Sequence, residues 1–194
     1  MTKESYVPAW NKLPDRKQIE EFWDEYEMPH HIRCHSIVVS KVALLLGQWL
    51  QIKGVQLNMA ALETGALLHD IAKIISLQEP AKVHHLEGEK ILFSKGFADL
   101  AYLVHYHVGL PDNFKLDEVS LVFYADKRVM GDEVVNLFDR FSYILDRYGK
   151  NNPERMSRLL KGRDQAYIVE DLIFNTLPEY TPDDIAKYLE DKLS

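Results

Sequence analysis

The chain has a single cysteine, Cys34, in 194 residues. One thiol excludes an intrachain disulfide and any metal site built from several thiolates, and both exclusions suit a reducing compartment. Cys34 itself reads as a small buried or half-buried packing residue. Positive charge is scarce beside negative: 23 Lys and Arg stand against 30 Asp and Glu, a formal net charge of −7. That balance argues against general affinity for nucleic acid or an anionic membrane, while leaving room for a local basic pocket that holds a phosphate. No apolar run approaches the roughly 18 residues of a membrane span and no signal-peptide pattern opens the chain. The expectation is a cytoplasmic protein with small-molecule partners, no nucleic acid and no membrane. Internal repeats, low-complexity tracts and long linkers are missing too, as is sustained strand-type alternation.

What is present is helical. Hydrophobic residues make up 46% of the chain, enough for a real core, and they recur at helical spacing almost throughout. The expected fold is all-α, a single-domain helical bundle with extra C-terminal helices. Residues 1–14, polar and interrupted by Pro8 and Pro14, read as a tail or surface arm. Residues 15–150 read as the helical core, and 151–194 as helices packed on the same domain. Asp15 with Gln18 forms a capping-box pattern that opens a first helix to about Met28. Further helices are expected over 29–51, 57–72, 83–95, after Gly96 to about His107, over 116–130 and over 132–148, with Pro80 breaking the chain before the fourth. Asn152-Pro153 and Thr181-Pro182 each resemble an N-cap followed by proline at the first helical position, and open the last two.

The same spacing sorts the chemistry-bearing residues. His35 falls on the apolar stripe Ile32, Val39, Val42, Leu46 and Trp49. His69 continues the stripe of Leu62 and Ala66, with Asp70 about 100° further round at a helix end where both can turn inward. His84 lies within about 40° of Gly88 and Ile91, whereas His85 is rotated by about 100° and replaces His84 if the helix begins one residue later. His107 shares a face with Leu100, Leu103 and Val104, while His105 points about 140° away from Leu100. Asp126 lies on the face of Leu116, Val119, Phe123 and Met130. An unpaired carboxylate there costs several kcal/mol unless a cation, metal or proton neutralises it. Five helices thus aim metal-capable groups at the core. The mixed stretch Arg147, Lys150, Arg155, Arg158, Lys161 and Arg163, interleaved with Asp146, Glu154 and Asp164, reads as a solvated face.

The order His35, His69-Asp70, Asp126, set in HSIVVSKVA, ALLHDIAK and LVFYADKR, resembles the HD-domain superfamily of metal-dependent phosphohydrolases. HHLEGEKIL and VHYHVG match as well, and the likeness runs from Pro29 to about Met130. His84 four residues before Gly88, and His107 before Gly109, are similar to the subset that holds two metal ions. Within it, Tyr106-His107 and Ala125-Asp126 most resemble the bacterial HD-type diadenosine tetraphosphate hydrolases. Val108 and Leu110 depart from that group's turn, and Lys127-Arg128 from its residues after the aspartate.

The resemblance implies a hydrolase of phosphate esters or anhydrides, with a nucleotide as the expected substrate and metal-bound hydroxide as the attacking group. His35, His69, Asp70 and Asp126 would bind a first metal, and Asp70 would bridge to a second held by His84 and His107. Imidazole and carboxylate donors suit iron, manganese, nickel, cobalt, zinc or magnesium, as one or two divalent ions per chain, with iron favoured for a pair. Asp70 and Lys73 are the expected catalytic residues. Lys73 is placed to meet a phosphate oxygen, or else is an exposed lysine favoured by the helix dipole. Arg128 and His105 are the further candidates for substrate contact, although Arg128 lies about 200° round from Asp126 and His105 faces outward. The alternatives are a di-iron oxygenase of the same superfamily and a non-catalytic nucleotide-binding module. The C-terminal helices are left to close the pocket or to form a homodimer surface.

Overall fold

Asp15 caps α1 (Arg16–Glu25) as the capping-box pattern predicts: its carboxylate accepts from Gln18 N, and the Gln18 side chain accepts from Asp15 N. The structure, a computed structural model, describes residues 6–79, 81–149 and 152–191. Pro80 and Lys150, which figure in the sequence reading, lie outside the described residues, as do residues 1–5 of the expected arm. Among the described residues of that segment, the Tyr6 hydroxyl hydrogen-bonds Asp99, its ring meets Tyr102 at 5.0 Å, and the Lys12 ammonium lies 4.6 Å from the Phe97 ring.

The all-α class holds among the described residues, apart from one two-residue hairpin. α2 (His30–Ile52) is the central helix. By length and average apolarity it matches a membrane span, which the run-length reading did not register, yet Val39, Val42, Leu46 and Leu50 are buried in the protein core. It packs against α3 (Met59–Leu68), which opens with the Asn58 side chain accepting from Ala61 N. α3 stops at Leu68, short of the Ala72 that periodicity suggests. A turn carries His69 to Ala72, and a short α4 (Lys73–Gln78) comes next that the spacing did not separate from α3. The apolar pattern continues through the turn, because Ile71 and Ala72 are buried there as they would be in a helix.

α5 (His84–Ser94) and α6 (Ala98–Tyr106) form an adjacent pair close to the expected bounds. A Cβ on Gly88 would meet Val104 Cγ1 at 2.8 Å, so glycine is what lets these helices approach. α7 (Glu118–Lys127) is the most enclosed helix, with residues 119–127 all buried. It ends three residues before the expected Met130. The chain instead forms an antiparallel hairpin of β1 (Val129–Met130) and β2 (Glu133–Val134), pairing Val129 with Val134 and Met130 with Glu133. Gly131 supplies the left-handed backbone this turn needs, at φ 64°. Strands of two residues are too short to leave an alternating signature.

α8 (Leu137–Tyr148) accordingly begins at its Asn136 cap rather than near Asp132. α9 (Pro153–Thr176) starts as predicted, with Asn152 capping Arg155 N and proline in the first turn. α10 (Asp184–Asp191) begins after Thr181, whose amide and hydroxyl both donate to the Asp184 carboxylate. The C-terminal helices are tied to the rest: the Gln165 amide exchanges hydrogen bonds with both backbone groups of Leu110, and α9 and α10 contribute Val169, Ile173 and Ile185 to the common core.

Candidate metal centre

The six expected ligands come from different elements and meet around one buried spot. His35 projects from α2, His69 caps the end of α3, and Asp70 occupies the turn directly after it. His84 opens α5, His107 caps α6, and Asp126 sits in the last turn of α7. Donor atoms of His35, His69 and Asp70 lie within 4.8 Å of one another, and so do those of Asp70, His84 and His107. Asp70 belongs to both sets. Its Oδ1 is 3.4 Å from His84 Nε2 and 3.7 Å from His107 Nε2, and its Oδ2 is 3.7 Å from His69 Nε2. Asp126 Oδ1 stands 3.1 Å from His35 Nε2 and 3.7 Å from His69 Nε2.

The orientation of the imidazoles is fixed from behind. Nδ1 of His35, His69 and His107 lies 2.8, 2.7 and 2.6 Å from the carbonyls of Gly131, Ala66 and Val104 respectively. A carbonyl can only accept, so each Nδ1 carries a proton and each ring turns its Nε2 toward the centre. This is the arrangement that metal-ligating histidines adopt. The residues present therefore fit a metal: His69 Nε2 is buried and has no hydrogen-bond partner, and His84 Nε2 faces His107 Nε2 at 3.2 Å. His35, whose Nε2 faces a carboxylate, needs a second proton or a metal between the two.

The electrostatics match. Burial drives His69 down to about 4 and His84 well below its ordinary value, so both stay neutral at pH 7. For His35 burial acts in the same direction, but the bond to Asp126 and its charge outweigh it and raise the pKa. Burial alone would raise the Asp70 and Asp126 carboxyls. Instead Lys73, His69, His107 and His84 hold Asp70 well below the usual range, and Lys127, His35, His69 and Arg140 do the same for Asp126.

These shifts have a sign in the metal-free protein. A histidine moved from 6.5 to about 4 contributes stability that is fully present above the unfolded value and lost as pH falls through the folded one. His35, shifted upward, contributes a constant amount below pH 6.5. The chelated protein is expected to lose on the order of 3 kcal/mol through His69 between pH 6.5 and 4. Urea midpoints at pH 7, 6, 5 and 4.5 check this, and a flat series would contradict it.

Of the other expected site residues, His85 and His105 lie away from the centre and Lys73 reaches it. His85 is outside both donor sets: its ring is 6.5 Å from that of His107, and its Nδ1 is buried with no hydrogen-bond partner. His105 turns to Glu89, with Nδ1 at 2.7 Å from the carboxylate. Lys73 does reach the centre, with its ammonium 3.3 Å from Asp70 and its side chain one-third exposed.

Arg128 corrects the sequence reading. It is neither solvated nor aimed at the centre, but is 2% exposed and bonded through all three of its nitrogens. Its Nε donates to Val135 O at 2.7 Å, Nη1 to the Tyr124 hydroxyl at 2.6 Å and to Glu170 at 3.3 Å, and Nη2 to Pro182 O at 3.0 Å. The outward angle from Asp126 is real, but α9 and the segment before α10 cover that face.

Two cations at the centre escaped the sequence reading. Lys127 is buried, and its ammonium donates to Asp126 Oδ2 at 2.6 Å and to His107 O at 3.0 Å. Its position about 100° from Asp126 concealed it, since only a long flexible side chain can fold back that far. Arg140 of α8 places Nη2 3.7 Å from Asp126 Oδ1. It lies beyond the motif segments, on a helix whose start the spacing misplaced. A cavity of about 350 Å3 lies under the N-terminal arm between Tyr6, Tyr102, Phe114 and Val119 and shares no residue with the centre.

Fold, donor sets and motif order define one class. The family model for the HD domain matches residues 32–148, which include all six candidate ligands, and the chain belongs to that family. An uncharacterized protein of Methanocaldococcus jannaschii is 28% identical over 139 residues, covering 61% of this chain and 78% of that protein. No solved structure matches the chain.

Proposed function

We propose that this HD-domain protein is a metal-dependent phosphohydrolase that cleaves a phosphate ester or phosphoanhydride, with a nucleotide as substrate. The observation that carries the reading is the pair of donor sets sharing Asp70, with inward Nε2 atoms fixed by carbonyls behind them. His35, His69, Asp70 and Asp126 would hold one ion, and Asp70, His84 and His107 a second. Divalent ions in such a site act as Lewis acids and bring the pKa of bound water near 7.

The chain's own residues supply the rest. The backbone carbonyls hold the imidazoles in one tautomer and one direction, which spares reorganisation during the reaction. Lys73, partly exposed and next to the shared carboxylate, would meet a phosphoryl oxygen. Cationic side chains beside both carboxylates favour an anionic substrate, and so favour hydrolysis at phosphorus over the oxygenase chemistry open to a two-iron site. The substrate is small, and the dinucleoside polyphosphates belong among the first compounds to test.

The test is a screen of nucleoside mono-, di- and polyphosphates, dinucleoside polyphosphates and cyclic dinucleotides, with metal content measured on the same sample. Hydrolysis of at least one class is expected, abolished by chelation and restored by divalent metal. Failure of the metal-loaded protein on every phosphate compound under nitrogen, together with aerobic turnover that needs reduced iron, would replace this reading with the oxygenase.

A further inference from the structure

Arg128 and Arg140 show two different uses of a guanidinium. Arg128 has Nε, Nη1 and Nη2 each bonded to protein at 3.0 Å or less, as a structural arginine should. Arg140 does not. Its Nε is buried with no hydrogen-bond partner, and its Nη2 makes a long ion pair, 3.7 Å, with Asp126 Oδ1. That oxygen already faces His35 at 3.1 Å, and the other oxygen of Asp126 is held by Lys127 at 2.6 Å. Asp126 therefore has little left to offer a third cation. The Arg140 side chain also keeps 15% exposure, against 2% for Arg128, so its fork is open on one side.

The charge balance points the same way. Two carboxylates, Asp70 and Asp126, stand among three cationic side chains, Lys73, Lys127 and Arg140. Positive charge already exceeds negative, and each divalent ion adds to the excess. Buried charge of one sign must be compensated. Lys127 is tethered to the His107 carbonyl and Lys73 to Asp70, which leaves Arg140 as the group whose donors lack a strong acceptor. A planar fork with unused N–H groups is suited to a phosphoryl group, which accepts from it in bidentate fashion.

We infer that Arg140 is a substrate-binding residue, its guanidinium taking the non-bridging oxygens of the substrate phosphate across the centre from Lys73. The inference rests on the phosphohydrolase reading for its substrate, but the anion site is testable without turnover. α8 thereby becomes one wall of the site, so the helix after the hairpin reads the substrate as well as filling the core.

The probe is inorganic phosphate, titrated by calorimetry into the metal-loaded full chain and into Arg140→Met and Arg140→Lys. Arg140→Met is expected to weaken phosphate binding at least about tenfold, and to raise KM for the substrate found in the screen by about 30-fold, with metal content unchanged. Arg140→Lys keeps the charge but not the fork, and should fall between. Equal phosphate affinity in wild type and Arg140→Met overturns the inference. So does loss of metal in that variant, which would make Arg140 a support for Asp126. Should Arg140→Met not fold, Arg140→Gln carries the same comparison. A wild-type protein that binds phosphate through Arg140 yet hydrolyses nothing overturns the phosphohydrolase reading and leaves the anion site standing.

Discussion

Asp70→Asn is expected to lower kcat/KM by at least about 1,000-fold, equivalent to about 4 kcal/mol of transition-state stabilisation, and to take bound metal from the two ions proposed per chain to one or none. The amide is nearly isosteric, so the fold should be unaffected. What disappears is the charge and one of the two acceptor oxygens, and Asp70 alone supplies both: Oδ1 faces His84 and His107 while Oδ2 faces His69. Among the described residues, no other carboxylate belongs to both donor sets. Elemental analysis and steady-state kinetics on one sample check the prediction. Full activity with full metal content would remove Asp70 as the shared ligand, and with it the two-ion reading.

Arg128→Met costs about 3–5 kcal/mol of stability, because it leaves the half-buried Glu170 carboxylate and the buried Tyr124 hydroxyl without their cation. At roughly 2–4 °C per kcal/mol for a chain of this size, the melting temperature falls by about 6–20 °C. Burial and the neighbouring Glu170 already push the Tyr124 hydroxyl well above its ordinary pKa despite the opposing Arg128, so the hydroxyl stays a donor to Glu170. Thermal and urea unfolding give the magnitude. KM of the folded variant at low temperature should stay within about twofold of wild type, since Arg128 is buried and all three of its nitrogens donate within the protein. A large rise in KM without a loss of stability would return Arg128 to the substrate site.

The two arginines show where reading by periodicity stops. Helix angles place Arg128 away from Asp126, and the structure agrees, but an outward angle means solvent only if nothing covers that face. α9 and the segment before α10 cover it, and no spacing within α7 reveals them. Arg140 was out of reach for a different reason. The spacing breaks at Gly131 but reads a bare helix junction there, because strands of two residues leave no alternating signature, and this displaces the expected start of α8. The hairpin is itself part of the centre, because the Gly131 carbonyl orients His35. Lys127 shows the remaining limit: a helical wheel places Cα atoms, whereas a lysine stem can carry its charge back toward the residue beside it.

The sequence by itself determined the all-α class, the caps at Asp15 and Asn152, the family, and the six inward-facing ligand candidates. Those rest on short-range rules, in which side-chain spacing and local hydrogen bonds select a helix face and its ends. Only the tertiary structure decided which cations accompany the carboxylates, which arginine is satisfied and which is open, and which carbonyl stands behind each imidazole. These depend on contacts between residues about 90 positions apart, as from His35 to Asp126 and Gly131, and packing rather than local preference sets such contacts.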